Sequence, residues 1–453
     1  MTKLRLIAAA LVSCVAVSAC APAQQDGAIA DFVVNDVHII PMDEEEILEN
    51  HSIAIKDGKI LEIFDQPTAP IQAKKSIDGA GRYLMPGLAD MHVHVRWDPE
   101  RMFELFLANG VTTAFNMGLE DGGFDHLEYR RAIAAGEMLG PRYFVSGPQF
   151  HDDDVPDVSA VGPLLDEHIA KGYDLMKIHG DLPADAYDAL IECARKRGVR
   201  LAGHTQRKRP LEASLGLNSI EHMEEFIYVA VDDHFAGIDD RESFLATYRA
   251  YVANLRDPKN RAEIVKAIAA SDVFIDATLL VYANIAVWAD DDRLVALAAD
   301  PSMKYLPDEV KAYWLEASTN PYQEPDFPLT PAEVESNLEV MNLLMDELHA
   351  AGVPFRSGTD GFGTIAPGLS LHDELALMTK AGLSSYEALE ASTINVARYL
   401  GTNDNEGAIR EGFRADFILL DKNPLRAIEN SKSVSGVFSQ GQWLASNELE
   451  AMR

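Results

Sequence analysis

The chain has 453 residues and a formal net charge of −33, with 47% hydrophobic and 25% charged residues. This hydrophobic fraction is ordinary for a soluble globular protein and is enough for a large core. The excess of acidic residues argues against nucleic acid as a partner, because phosphate binding needs concentrated Lys and Arg. The length leaves room for a barrel of roughly 250 residues or more and a smaller companion domain.

The N-terminal segment is typical of a secretory signal. Lys3 and Arg5 precede the apolar run from Leu6 to Val17, which is short for a membrane span. The run leads into VSAC, ending at Cys20, which resembles a bacterial lipoprotein cleavage box. The resemblance implies that the signal segment with its lipobox, residues 1–20, is cleaved before Cys20, which becomes the lipidated first residue and anchors the protein to a membrane. We therefore expect an exported protein, either periplasmic or anchored at the outer membrane; the alternative is a cleaved signal without lipid.

Strand patterns occur near both ends of the chain. After a predicted tether at 21–30, residues 32–40 and 51–64 have strand character, with a hairpin turn at Asp57-Gly58. Strands return at 415–420 and 433–444, with a second turn at Gln440-Gly441. We predict that residues 31–86 and 404–453 combine into one small flanking β-sandwich domain.

Between these ends, residues 87–403 alternate short apolar strands with helical stretches. This pattern indicates repeated βα units, and eight of them predict a (β/α)₈ TIM barrel of the α/β class. The predicted strands are 88–94, 111–115, 142–146, 173–179, 199–204, 219–222, 273–278 and 353–359. The long stretches 224–271 and 282–350 exceed a minimal barrel, and we expect them to form walls over its mouth.

Two strands carry the first candidate metal ligands. His92 and His94 alternate on the first strand, so they share a face and can chelate one ion. Lys177 lies among apolar residues on the fourth strand, and burial would lower its pKa and free the amine. Carbon dioxide can convert such an amine to a carbamate, whose two oxygens can bridge two ions. The alternative is a structural lysine paired with a carboxylate.

Three more candidates lie at strand ends. His204 ends the fifth strand, His222 ends the sixth and Asp360 follows the eighth. A single histidine in such a place is more often a hydrogen-bonded structural residue. Six candidate ligands at the C-terminal ends of five strands, where a barrel carries its active site, predict a metal centre.

The order His-x-His, Lys, His, His, Asp is similar to that of the amidohydrolase superfamily, above all its imidazolonepropionase-like and prolidase-like (Xaa-Pro dipeptidase-like) members. The segments YLMPGL at 83–88, PGLSLHDEL at 367–375 and GFRADF at 412–417 add to the resemblance. It implies two divalent ions, with zinc expected. The implied ligands are His92, His94 and Asp360 for one ion, His204 and His222 for the other, and carbamylated Lys177 (N6-carboxylysine) as the bridge. Imidazolonepropionase itself lacks the bridging lysine, so Lys177 favours the prolidase-like branch.

The resulting hypothesis is a small-molecule hydrolase that cleaves an amide C–N bond. The expected substrate is a dipeptide or N-acyl amino acid, attacked by a hydroxide shared between the ions, with Asp360 as base and then acid. Three alternatives stay open: a lactone or cyclic amide hydrolase, a mononuclear deaminase, and a non-catalytic surface binding protein. A homo-oligomer also stays open.

Five further residues are candidates for substrate contact. His179 shares the inward face of the fourth strand with Lys177, and Arg207, with its neighbour Arg209, could bind a substrate carboxylate. The others are placed to reach the mouth: His151, Tyr228 and His372. Each has a structural alternative, as a hydrogen bond to a carboxylate or as part of a solvated loop.

Overall fold

The computed structural model describes residues 29–65, 72–119, 121–232, 235, 237–238 and 240–453. The predicted signal peptide, with Cys20, and residues 21–28 of the predicted tether lie outside this part of the chain. No helix in the described ranges combines the length and the apolar character that a bilayer crossing needs.

Strands and helices alternate through the middle of the chain. The strands are β1 Ala30–Ile39, β2 Leu48–Lys56, β3 Lys59–Asp65, β4 Ala73–Pro86, β5 Leu88–Val93, β6 Val111–Asn116, β7 Arg142–Phe150, β8 Leu175–Ile178, β9 Leu201–Gly203, β10 Ser219–Glu221, β11 Phe274–Asp276, β12 Phe355–Arg356, β13 Phe417–Leu420, β14 Val434–Ser439 and β15 Gln442–Ala445. The α-helices are α1 Pro99–Ala108, α2 His126–Ala134, α3 Val158–Lys171, α4 Ala184–Arg197, α5 Arg241–Asn254, α6 Pro258–Ala269, α7 Leu279–Trp288, α8 Asp291–Ala298, α9 Asp308–Leu315, α10 Pro331–Ala350, α11 Leu371–Lys380, α12 Ser385–Ala391, α13 Ile394–Leu400 and α14 Ser446–Met452.

Both ends of the chain form one seven-stranded mixed sheet, in the order β15-β14-β13-β4-β1-β2-β3. This confirms that the two ends share a small β domain. Strand β4, which the sequence pattern did not single out, joins the halves by pairing parallel with β1 and antiparallel with β13. Residues Asp57 and Gly58 both have positive φ, as the predicted tight hairpin between β2 and β3 requires. Alternate side chains of these strands, such as Val34, Leu84 and Phe417, bury a core of their own.

Strands β5 to β12 form an eight-stranded parallel sheet in sequence order, which confirms the predicted barrel. Every predicted strand position contains an observed strand, although several strands are shorter than predicted. The first and last strands meet through two backbone bonds, from Met91 N to Ser357 O at 2.9 Å and from Asp360 N to His92 O at 2.7 Å. The C-terminal ends of all eight strands therefore lie around one rim.

The second long insertion builds an aromatic wall beside this rim. Helix α7 ends at Trp288, whose ring lies 4.9 Å from that of Trp314, and Tyr322 and Phe362 pack against the same pair. The indole nitrogen of Trp288 donates to Thr364 Oγ1 at 3.0 Å, so the buried ring keeps a polar partner. This wall is the apolar side of the barrel mouth that the insertion pattern predicted.

Candidate metal centre

All six predicted ligands line one cavity of about 230 Å³ at the rim. His92 lies in β5 with His94 just beyond its end, and Lys177 lies in β8. The other three follow directly on strands: His204 after β9, His222 after β10 and Asp360 in the segment after β12. Residues far apart in sequence are thus brought together because they share the same end of neighbouring strands.

One half of the cluster centres on Asp360. Its Oδ1 lies 3.3 Å from His92 Nε2 and 3.1 Å from His94 Nε2. Asp360 has a φ of 64°, an unusual value for a residue with a side chain, and its backbone nitrogen is bonded to His92 O at 2.7 Å. The backbone therefore fixes this carboxylate against both histidines, and the three side chains could hold one cation.

The other half continues around the rim. The ring centroids of His92 and His222 lie 4.8 Å apart, and those of His222 and His204 lie 4.9 Å apart. Lys177 is 1% exposed, and its Nζ lies 3.4 Å from His92 Nε2. The lysine is therefore enclosed within the histidine cluster and does not extend to solvent.

Each of three histidines contacts a partner through the same ring nitrogen. The Nδ1 atoms of His92, His222 and His204 lie 2.9 Å from Glu221 Oε2, 2.7 Å from Thr278 Oγ1 and 3.5 Å from Glu225 Oε1, respectively. Partners of this kind hold the Nδ1–H tautomer and orient Nε2 as a lone-pair donor. The donor set of this cavity therefore fits divalent cations.

Burial sets the protonation states of these groups. It lowers the pKa of His92 to about 4 and that of His222 to about 3, and it lowers the pKa of His204 well below the ordinary value. Burial also lowers the pKa of the Lys177 ammonium. For Asp360, burial alone would raise the pKa, but the attraction of His92 and its neighbours outweighs it, so the pKa is lowered. Neutral imidazoles and an ionised carboxylate are the states that bind metal.

A buried layer of charge lies beneath the rim. Arg356 Nη2 lies 3.0 Å from Glu221 Oε1 and 3.3 Å from Asp276 Oδ2, and its guanidinium covers the Tyr399 ring at 3.9 Å. Burial would raise the pKa of Glu221, but the Arg356 charge outweighs it, so Glu221 stays ionised against His92. This layer was not predicted from the sequence, although charged residues inside short apolar strands were a visible signal.

The predicted substrate contacts divide into two groups. His179 lines the cavity, with its ring 4.4 Å from that of His204, and the exposed His151 ring lies 4.8 Å from His179. Arg207 instead forms an ion pair with Glu225, at 2.5 Å between Nη2 and Oε1, and its guanidinium lies over the Tyr228 ring at 4.7 Å. Arg207 and Tyr228 therefore belong to the wall behind the cavity.

The structure corrects two placements. His372 does not reach the mouth, because it is 1% exposed and bonded through both ring nitrogens, Nδ1 to Ser431 Oγ at 2.9 Å and Nε2 to Asn109 O at 3.0 Å. Arg209 lies 3.0 Å from Asp188 through Nη2, away from the cavity. Both side chains serve contacts between structural elements.

Several cavity residues were not identified from the sequence. Of these, Arg96 could have been identified most easily from the sequence, because it lies two positions beyond His94 and continues the alternation of the first strand. Burial and the neighbouring Glu225 raise the pKa of Glu224 to about 8. The newly identified lining residues are Arg96, Gln149, Glu224, Val281, Ile285, Tyr322 and Phe362.

Comparison with known proteins decides the family. The profile of the amidohydrolase family matches residues 83–444, which is most of the chain. The chain belongs to the amidohydrolase family. Members of this family are typically hydrolases that act on C–N bonds and depend on divalent metal, which the donor set of the cavity fits.

Similar proteins carry names of several different activities. An adenine deaminase of Desulforamulus reducens is 22% identical over 415 residues, which cover 90% of this amidohydrolase and 58% of the relative. This amidohydrolase thus spans little more than half the length of that relative. A Xaa-Pro dipeptidase structure with bound methionine has a TM-score of 0.64 and 18% identity over 91% of this chain and 99% of that chain. A bottromycin amidohydrolase structure has a TM-score of 0.65 and 22% identity over 93% and 88%. At these identities the structures support the fold alone.

Proposed function

We propose that this amidohydrolase is a two-metal enzyme that cleaves the amide bond of a dipeptide or an N-acyl amino acid. The observation that carries the proposal is the enclosed Lys177, whose Nζ lies 3.4 Å from His92 Nε2. A neutral amine in this position can add carbon dioxide to form a carbamate, and the two carbamate oxygens suit a pair of cations. A single-ion deaminase site has no need of a lysine here.

Divalent ions bound here, with zinc expected, would supply Lewis acidity that polarises a carbonyl and acidifies water. The protein residues do the remaining work. Asp360 stays ionised and is partly exposed to the cavity, so it can accept the proton of the attacking water. It then donates this proton to the leaving nitrogen. The histidines stay neutral and hold their orientation through the Nδ1 contacts described above.

The rest of the cavity suits an amino-acid substrate. Arg96 presents a guanidinium, which is the natural partner of the terminal carboxylate shared by dipeptides and N-acyl amino acids. Its Cζ lies 5.8 Å from the centre of the Phe362 ring. Val281 and Ile285 supply an apolar surface for a side chain. The similarity to a Xaa-Pro dipeptidase structure is consistent with this substrate class.

Deamination of a purine base is a second candidate. It is favoured by one observation, that the sequence relatives given above are named adenine deaminase. This reaction also breaks a C–N bond, so family membership does not separate the two. Among the described cavity residues, none favours a lactone or a cyclic amide over an open-chain amide.

Metal analysis and a substrate screen separate these functions. Purified protein loaded with zinc should hold about two ions per chain and should turn over dipeptides or N-acyl amino acids in a library that also contains lactones and adenine. Ammonia release from adenine with one ion per chain would replace the proposal with the deaminase. Absence of both metal and turnover would leave a non-catalytic binding protein.

Export and lipid attachment at Cys20 form a separate proposal, supported by the signal pattern alone. Expression in a Gram-negative host with a radiolabelled fatty acid should label the protein and place it in the membrane fraction. The variant Cys20→Ser should lose the label. An unlabelled wild-type protein in the periplasmic fraction would show a cleaved signal without lipid.

A further inference from the structure

Glu224 lines the cavity without a hydrogen bond or ion pair to any described residue. It lies in the 3₁₀ turn Met223–Ile227, two positions after His222, and lines the cavity wall. Its carboxylate has no hydrogen bond or ion pair among the described residues. Asp360, by contrast, contacts two histidines.

The next residue in the same turn, Glu225, is a carboxylate whose hydrogen bonds are satisfied. Glu225 is fully buried and accepts hydrogen bonds from Thr205 N at 3.0 Å and Thr205 Oγ1 at 2.6 Å. It also pairs with Arg207 at 2.5 Å. Arg207 is therefore bonded to Glu225, and its charge acts on Glu224 only through space.

A carboxylate taken out of bulk water without a partner is costly, and a cation that enters the cavity would remove that cost. We propose that Glu224 binds the free α-ammonium group of the substrate, so that the enzyme acts on dipeptides with an unblocked N-terminus in preference to N-acyl amino acids. This inference rests on the proposed function and narrows its substrate class.

The chemistry of a dipeptide explains why the α-ammonium is the group concerned. This group lies two bonds from the scissile carbonyl carbon, so it must be close to the residues that surround the reaction centre. Glu224 lies two positions after His222 and lines the same cavity as the cluster. Arg96, two positions beyond His94, lines the same cavity, and its positive charge repels an ammonium and attracts the carboxylate at the other end of the dipeptide. The two charges therefore orient the substrate.

The kinetic test compares one substrate with a free N-terminus and one with a blocked N-terminus, each on two variants. The substrates are Leu-Ala and Nα-acetyl-Leu-Ala, and the variants are Glu224→Gln and the exposed control Glu212→Gln. A lost charge-assisted hydrogen bond predicts that Glu224→Gln lowers kcat/KM for Leu-Ala by about 10- to 100-fold, mainly through KM. The acetylated substrate should change by less than about threefold, and Glu212→Gln should match the wild type. An equal loss of kcat on both substrates, or a loss of bound metal in Glu224→Gln, would overturn the inference.

A binding measurement separates this inference from the proposed function. Titration calorimetry with L-leucinamide and N-acetyl-L-leucinamide needs no turnover. Wild-type protein should bind leucinamide more tightly, and Glu224→Gln should remove the difference. If that difference appears but no amide is cleaved, the proposed function fails and the ammonium site stands. If the two amides bind wild-type protein equally, the ammonium site is wrong, whatever the enzyme cleaves.

Discussion

The barrel rim and the contact between the barrel and the β domain both bury histidines, but they use them differently. At the rim, burial lowers the pKa of His92 to about 4. Its Nδ1 contacts Glu221, and its Nε2 faces the cavity, where the other candidate ligands Asp360 and Lys177 lie 3.3 and 3.4 Å away. At the contact with the β domain, burial lowers the pKa of His372 to about 4 as well, but both of its ring nitrogens are bonded. Burial and pKa are therefore the same in the two regions. What distinguishes a candidate ligand is a nitrogen that faces a cavity containing further donors.

The largest effect should come from the rim lysine. Lys177→Ala removes the only candidate bridge among the described cavity residues, so turnover should fall by about 10³-fold or more, and bound metal should fall from about two ions to one or fewer. Steady-state kinetics and metal analysis measure both effects, with Lys171→Ala on the surface of α3 as control. Full activity in Lys177→Ala would refute the two-metal site. A ¹³C signal from labelled bicarbonate, present in the wild type and absent in the variant, would identify the carbamate.

The next effect concerns the partner of His92. Glu221→Gln keeps the shape of the side chain but removes the charge that orients the imidazole, so metal affinity should fall by about 10- to 100-fold. Competition with a chelator measures this affinity, and melting of the metal-free protein measures the accompanying loss of fold stability. An unchanged affinity would show that Glu221 only balances the buried Arg356.

Acid should release the metal at an unusually low pH. Metal binds the neutral imidazole, and the pKa values of about 4 for His92 and about 3 for His222 keep these rings neutral far below the ordinary 6.5. Metal content should therefore stay complete at about pH 5.5 and fall as the pH drops through about 4. Dialysis followed by metal analysis gives the midpoint, with circular dichroism to verify the fold. A midpoint near 6.5 would show that the rings are open to water.

The smallest effect should come from His372, the buried histidine at the contact with the β domain. His372→Leu removes two buried hydrogen bonds and leaves Ser431 and the Asn109 carbonyl without that partner, so the free energy of unfolding should fall by about 1–3 kcal/mol. Metal content and kcat should not change. Denaturant melts at neutral pH measure the loss. A metal deficit in this variant would mean that the contact with the β domain controls the rim.

The sequence predicted the barrel and the ligand cluster because both depend on local signals. Residues at the C-terminal ends of the strands share one rim once the strands close into a barrel. The positions of His204 and Asp360 could therefore be predicted without knowledge of the side-chain packing. Tyr322 was not predicted, since the insertion that carries it reaches the cavity through long-range contacts. Glu224 was not predicted either, although its position two residues after His222 was a local signal. Arg207 was misjudged for the same reason, because its partner Glu225 is recognised only when β9 and β10 lie side by side.

The pairing of β4 with β13 has a consequence for how the chain is made. Leu84 finds its neighbour Leu419 only after the whole barrel has been synthesised. Strand β4 therefore has an unpaired edge until β13 is available. Closing the long loop between them is slow, even though the entropic cost of closure grows only gently with loop length. Completion of the small sheet is thus a late event in the folding of the chain.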